Sequence, residues 1–144
     1  MSYNDCIHKT ELAAQGVAAT VVAAQSLNSF VGLEDDAKAL PSVSFIGESS
    51  EPVTEGDLCA NRFVTLAILV RTNRDDHTAA QHRGYVQAVF DVFYDDTLTT
   101  LLSAALVDFY CFTAEALGET QNTVDRSHET TARFRLMVCP SDLT

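Results

Sequence analysis

Tryptophan is absent from this 144-residue sequence, which holds only 3 prolines and 6 glycines. So few chain breakers in a chain that is 47% apolar exclude a collagen-like, proline-rich or disordered composition. Basic residues are scarce as well, with 9 Lys and Arg against 20 Asp and Glu and a net charge of −11. A broad nucleic-acid-binding surface needs clustered cations, so the balance speaks against that class and suits protein partners. Long hydrophobic runs are missing. The most apolar stretch, Phe63–Val70, is eight residues long, where a membrane-spanning helix needs about 20. The four cysteines, Cys6, Cys59, Cys111 and Cys139, form no C-x-x-C pair. Their dispersion argues against structural zinc and for free, mostly buried thiols. The opening residues Met1–Cys6 lack the basic and apolar regions of a secretory signal, so the expectation is a reducing cytosol.

What is present reads as one domain spanning 1–144, with no internal repeat and no linker between two cores. Asp5–Phe30 is Ala-rich, and Ile7, Ala14, Val17, Val21 and Ala24 recur at helical spacing, which predicts one long helix. Thr10, Glu11 and Gln15 fall on its polar side, and Gly32 sits where a helix stop is expected. Glu34, Asp35 and Asp36 form an acidic turn closed by Pro41, and Val43 and Phe45 alternate with serines as a short strand. Gly47–Gly56 reads as a polar loop carrying Glu48, Glu51 and Glu55.

Arg62–Thr72 is the clearest strand. Val64, Leu66, Ile68 and Val70 share one face and Phe63, Thr65, Ala67, Leu69 and Arg71 the other, as in a central strand covered on both sides or covered on one by a neighbouring subunit. Thr78–Asp95 predicts a helix buried along Val86, Val89, Phe90 and Phe93. Asp95 or Asp96 caps a shorter helix whose apolar face is Leu98, Leu101, Leu102 and Ala105. Asp108–Ala116 is strand-like and Gly118–Ser127 a polar loop. In the last strand, Glu129–Cys139, Ala132, Phe134, Leu136 and Val138 point inward, with Thr131, Arg133, Arg135 and Met137 outward. The order α-β-β-α-β-β, with the second helix broken, is an α+β pattern: helices on one face of an antiparallel or mixed sheet.

Chemistry-bearing constellations are sparse. Asp75, Asp76, His77 and His82 are metal-ligand types, but His77 and His82 would stand about 140° apart on a helix, and the two carboxylates suit a solvated helix start. Cys6 and His8 make no recognised pair. No nucleophile elbow, P-loop or dinucleotide fingerprint is present. The expectation is no enzyme, no cofactor and no metal site. Acidity is uneven: residues 1–60 are net −7, 61–100 net −1 and 101–144 net −3. Arg126, Arg133 and Arg135 gather around the last strand. Cross-strand pairing with acids is the ordinary reading of these arginines, and a contact to a partner or neighbouring subunit the functional one. The candidate interface set is Arg126, Arg133, Arg135, Glu48, Glu51 and Glu55.

The long first helix, LPSVSFIGESSEP, RFVTLAILVRTN, HRGYVQAVFDVF and TTARFRLMVC together resemble the tail terminator (tail completion, minor tail) proteins of long-tailed bacteriophages and related gene-transfer particles, over roughly residues 5–140. The resemblance implies a structural protein of the virion, at the junction of tail and neck, assembled in the host cytoplasm. It implies a homohexameric ring that caps the tail tube, meets the tube protein and a neck or head-completion protein, and lets DNA pass its lumen without specific binding. A head-closure (neck) protein is the nearest alternative, and a small cytosolic enzyme or ligand-binding domain the alternative of another class.

Overall fold

The Ala-rich start of the chain folds as two helices and a strand rather than one long helix. The structure is a computed structural model and describes residues 5–32, 39–53 and 61–140. Helix α1 (Cys6–Val17) is capped by Asp5, whose carboxylate accepts the His8 N–H at 3.0 Å. Helix α2 (Ala19–Ala24) follows after Ala18. Ser26 then turns into the left-handed region (φ 54), and Asn28–Val31 leaves as strand β1. The helical expectation for residues 25–30 fails because β1 finds a sheet partner: it pairs in parallel with Ser42–Phe45, which satisfies its backbone better than a frayed helix end. Gly32 (φ 80) ends that strand and stops no helix. The acidic turn Glu34–Asp36 lies outside the described residues.

Strand β2 (Ser42–Pro52) runs through most of the segment expected as a loop. Its register with β3 (Arg62–Asn73) continues to Pro52↔Arg62, with a bulge at Glu48 between Gly47 and Ser49. Gly47 permits this path: a Cβ there would stand 2.5 Å from Ile7 Cγ2. Helix α3 (Ala79–Phe93) opens with a capping box between Thr78 and Gln81, and α4 (Leu98–Ala105) follows Asp95, whose carboxylate accepts the N–H and hydroxyl of Thr97. Strand β4 (Phe109–Val124) absorbs the second expected loop and turns through Asp125–Arg126 into β5 (Ser127–Pro140). Threonines and alternating polar residues with no Pro tolerate an exposed strand, so polarity alone misreads this stretch as a loop.

The sheet order is β1-β2-β3-β5-β4, mixed because β1–β2 is parallel and the other pairs antiparallel. This is an α+β fold, and the described residues hold one strand and one helix more than expected. Registers Val43↔Val70, Phe45↔Ile68, Leu66↔Phe134 and Val64↔Leu136 put these side chains on one face, where they are buried with Val89, Phe93 and Leu102. Phe93 sits between Phe45 (centroids 6.0 Å apart) and Phe134 (6.2 Å). Val89, Phe90 and Phe93 are buried as their spacing predicts, with Val86 packed at the margin. In α4 only Leu98 and Leu102 are buried; Leu101 is exposed, because this two-turn helix offers the core one narrow stripe.

Candidate assembly surface

The second face of the sheet carries four of the six charged residues singled out by sequence. Arg133 and Arg135 alternate with the buried Ala132, Phe134 and Leu136, so both project to this face. Arg133 Nε donates to Glu48 Oε1 at 2.9 Å, reaching across β3 to the bulge in β2. Arg135 donates to Glu115 Oε2 at 2.7 Å, its register partner on β4, while its guanidinium lies 4.9 Å from the Phe63 ring centroid. Arg71 and Glu129, also opposite in register, approach to 3.1 Å. Ile46, Phe63, Leu69 and Met137 lie half-buried between these pairs.

The structure therefore brings Arg133, Arg135, Glu48 and Glu51 to one face, Glu51 standing exposed opposite Phe63. Arg126 is elsewhere, in the β4–β5 turn, paired with Asp75 at 3.2 Å. Glu55 lies outside the described residues. All three arginines thus have acidic partners within the chain. Each pair is solvent-exposed, so it contributes about 0–1 kcal/mol at most and can exchange partners cheaply.

The histidines do a different job from the one their residue types suggest. His82 is buried, with Nδ1 2.9 Å from Thr72 Oγ1 and Nε2 2.8 Å from Thr130 Oγ1, so α3 is tied to both β3 and β5. Burial holds its pKa below the usual histidine value, and the nearby His128, Arg83 and His77 lower it further. His77 packs edge-on against Tyr85. Among the described residues no group of three His, Cys, Asp or Glu could hold a metal ion. Cys6, Cys111 and Cys139 are free and buried, and burial pushes the Cys111 thiol up to about 11; Cys59 lies outside the described residues. The isolated Ser and Thr spacing gives no hint of the Thr72–His82–Thr130 bridge, because its members meet only through tertiary folding.

Sequence reasoning also misses two features of β4. Its bulges fall at Phe112 and Leu117, each left without a register partner and each exposed, at 61% and 49%. Beside β4, a cleft of about 370 Å³ has Phe93, Phe134 and Ala116 in its lining, with Asp95 and Asp96 among its polar groups. Tyr94 stands at that cleft and donates to Glu119 at 2.7 Å; burial and the Glu119 carboxylate raise its pKa to about 12.

No protein-family model and no curated protein matches the sequence. Among solved structures, the fold matches a chain described as "Virion of native gene transfer agent (GTA) particle" with a TM-score of 0.65, 17% identity, and coverage of 96% of this chain and 99% of that chain. The match runs end to end, so this chain shares its fold with a chain of that particle.

Proposed function

We propose that this chain is a structural protein of a phage-like virion, and that its role is tail termination. The observation that carries the reading is the fold match over 96% of this chain and 99% of a chain from a gene transfer agent particle. Segment character adds to it, since the quoted strands and helices resemble tail terminators. In this reading the residues 1–144 act as one unit, six copies close into a ring, and the ring caps the tail tube and meets a neck or head-completion protein. A closed ring of heterologous contacts sets one surface of each copy against a different surface of the next. The sheet face with Arg133, Arg135, Glu48 and Glu51, on which no helix packs among the described residues, is the proposed contact to a stacked partner ring; its exposed pairs can re-pair across an interface without leaving a buried charge behind. Arg126 and Glu55 complete the proposed contact set.

DNA passes the lumen without specific binding, so the channel wall is expected to be acidic or neutral. No cofactor or catalytic role is assigned. Negative-stain electron microscopy of the purified protein tests the reading: six-fold rings with a central channel support it. Twelve-fold rings, or a monomer that binds a portal ring, would move the assignment to a head-closure protein.

A further inference from the structure

We infer that the cleft beside β4 receives an extended, basic segment of another protein, which adds as a strand to the outer edge of β4 and lays one apolar side chain on the cleft floor; this holds whether or not copies of the chain close into a ring. Ala114, Ala116 and Glu119 stand in register with Leu136, Phe134 and Ala132, so all three lie on the helix-covered face of the sheet. Two of them are alanines, whose small side chains leave the cleft of about 370 Å³ between β4 and the α3–α4 connection, lined on its apolar side by Phe93, Leu98 and Phe134. The backbone beside this cleft is open. At Cys111 the N–H donates to Ser103 Oγ at 2.9 Å and the C=O accepts from it at 3.2 Å, while the Thr113 carbonyl accepts the Cys111 thiol at 3.3 Å. Among the described residues, no such side chain meets the backbone of Ala114–Gln121, and β5 is the sole strand partner there. Strand addition draws affinity from an open backbone edge and selectivity from pockets that take alternate side chains.

Charge selects the occupant. Asp95 and Asp96 line the cleft, and Glu119 meets its Tyr94 through a neutral hydroxyl. Neither the lining nor β4 contains a Lys or Arg, so a segment that pairs with this edge must bring the cations. This chain has none to give in extended form. A second β4 brings Glu115 and Glu119, and the opposite edge strand β1 is uncharged. Arg74 lies in a turn with its N–H held by the Arg126 carbonyl, and Arg83 lies within α3, so neither sits on a free strand. Lys9, Arg71, Arg126, Arg133 and Arg135 are ion-paired already, and Arg62 bonds Ser50 from the central strand β3. By sequence, the segments outside the described residues are no better: 33–38 holds three acids against Lys38, 54–60 and 141–144 hold acids alone, and 1–4 has no charged side chain. The complement is therefore a different protein.

Blocked heptapeptides read by fluorescence polarisation provide the test. In T-R-V-L-V-R-T the two arginines and the leucine share one face of a strand, and T-E-V-L-V-E-T reverses the charge. The first is expected to bind at least about tenfold more tightly than the second. Asp95→Asn with Asp96→Asn removes the charge of the cleft and keeps an acceptor for Thr97, while Ala116→Leu fills the floor; each is expected to weaken binding by roughly tenfold. These three positions are exposed, so thermal melts should stay close to that of the unsubstituted protein and serve as the folding control. Backbone N-methylation of the peptide at its even residues, or at its odd ones, tests the strand itself: one set should abolish binding and the other spare it, since only alternate N–H groups face β4. Failure of both peptides to bind, equal binding of the two, or indifference to Ala116→Leu or to both methylation sets overturns the inference. Self-association of the protein that Ala116→Leu abolishes gives the edge to a second copy and overturns it too. Six-fold rings are read separately by microscopy, so the ring reading stands or falls apart from these results.

Discussion

Glu11 of α1 accepts the backbone N–H of Gly47 at 2.8 Å, and its carboxylate is almost fully buried while doing so. This bond ties the first helix to the bulged strand β2 at the one point where a glycine lets them touch. Gly47→Ala would place a methyl 2.5 Å from Ile7 Cγ2 and 3.3 Å from Ile7 O. The expected cost is about 1–3 kcal/mol, from overpacking. Adding Ile7→Ala removes the nearer clash, so a double-mutant cycle by urea denaturation should return a clear coupling energy. Additive effects would refute the close approach.

Acid is expected to weaken the fold through His82. Its pKa is lowered in the folded state, chiefly by burial, so the unfolded chain takes up its proton first. Stability from keeping this ring neutral is fully present above the unfolded value of 6.5 and falls as the pH drops from there toward the depressed folded value. Denaturant melts between neutral and mildly acidic pH should show this slope. In His82→Gln, the slope should be shallower; an unchanged slope would assign it to other groups.

The hydrophobic contacts allow a blunter test. Leu66→Ala and Phe90→Ala should each cost about 2–5 kcal/mol in chemical denaturation, since both side chains are buried in the core. Losses under about 1 kcal/mol would place these residues outside the packed interior.

Arg133→Glu should separate folding from assembly. It replaces an exposed ion pair with Glu48 by a like-charge contact, so the monomer's melting temperature should move only slightly. Association with a partner ring should weaken, as seen by co-sedimentation with purified tail tubes. A variant that unfolds while binding is unaffected would contradict the interface role.

Periodicity made much of this fold legible. The alternation in Val64–Val70 and Ala132–Val138 and the helical spacing of Val89, Phe90 and Phe93 each name one buried face. Polarity misled at 47–52 and 118–124, because a strand paired by its backbone needs no apolar side chains when its faces are open; residues 54–56 of the first expected loop lie outside the described residues. The N-terminal segment misled for the opposite reason: helix propensity carries through residues 25–30, but tertiary pairing with β2 overrides it. At the candidate surface, the alternation placed Arg133 and Arg135 on the outward side, while their acidic partners depended on register and on a bulge that no local pattern encodes. Phe112 and Leu117 escaped for the same reason, since an unbulged strand would have turned them toward a face.

The two-residue turn at Asp125–Arg126 also bears on the order of events during folding. Val124 and Ser127 face each other across it, so the β4–β5 ribbon closes over the shortest loop in the sheet. By contrast, Arg62 must find Val138 across two intervening helices before β3 can join that ribbon. Local contacts form before distant ones. The ribbon bearing Phe112 and Leu117 is therefore expected among the first structures made, and among the described residues its outer edge has no strand partner. In a crowded cell, an open strand edge carrying two exposed apolar side chains makes the chain's fate depend on concentration and timing, because such an edge collects unfolded chains when synthesis outruns folding.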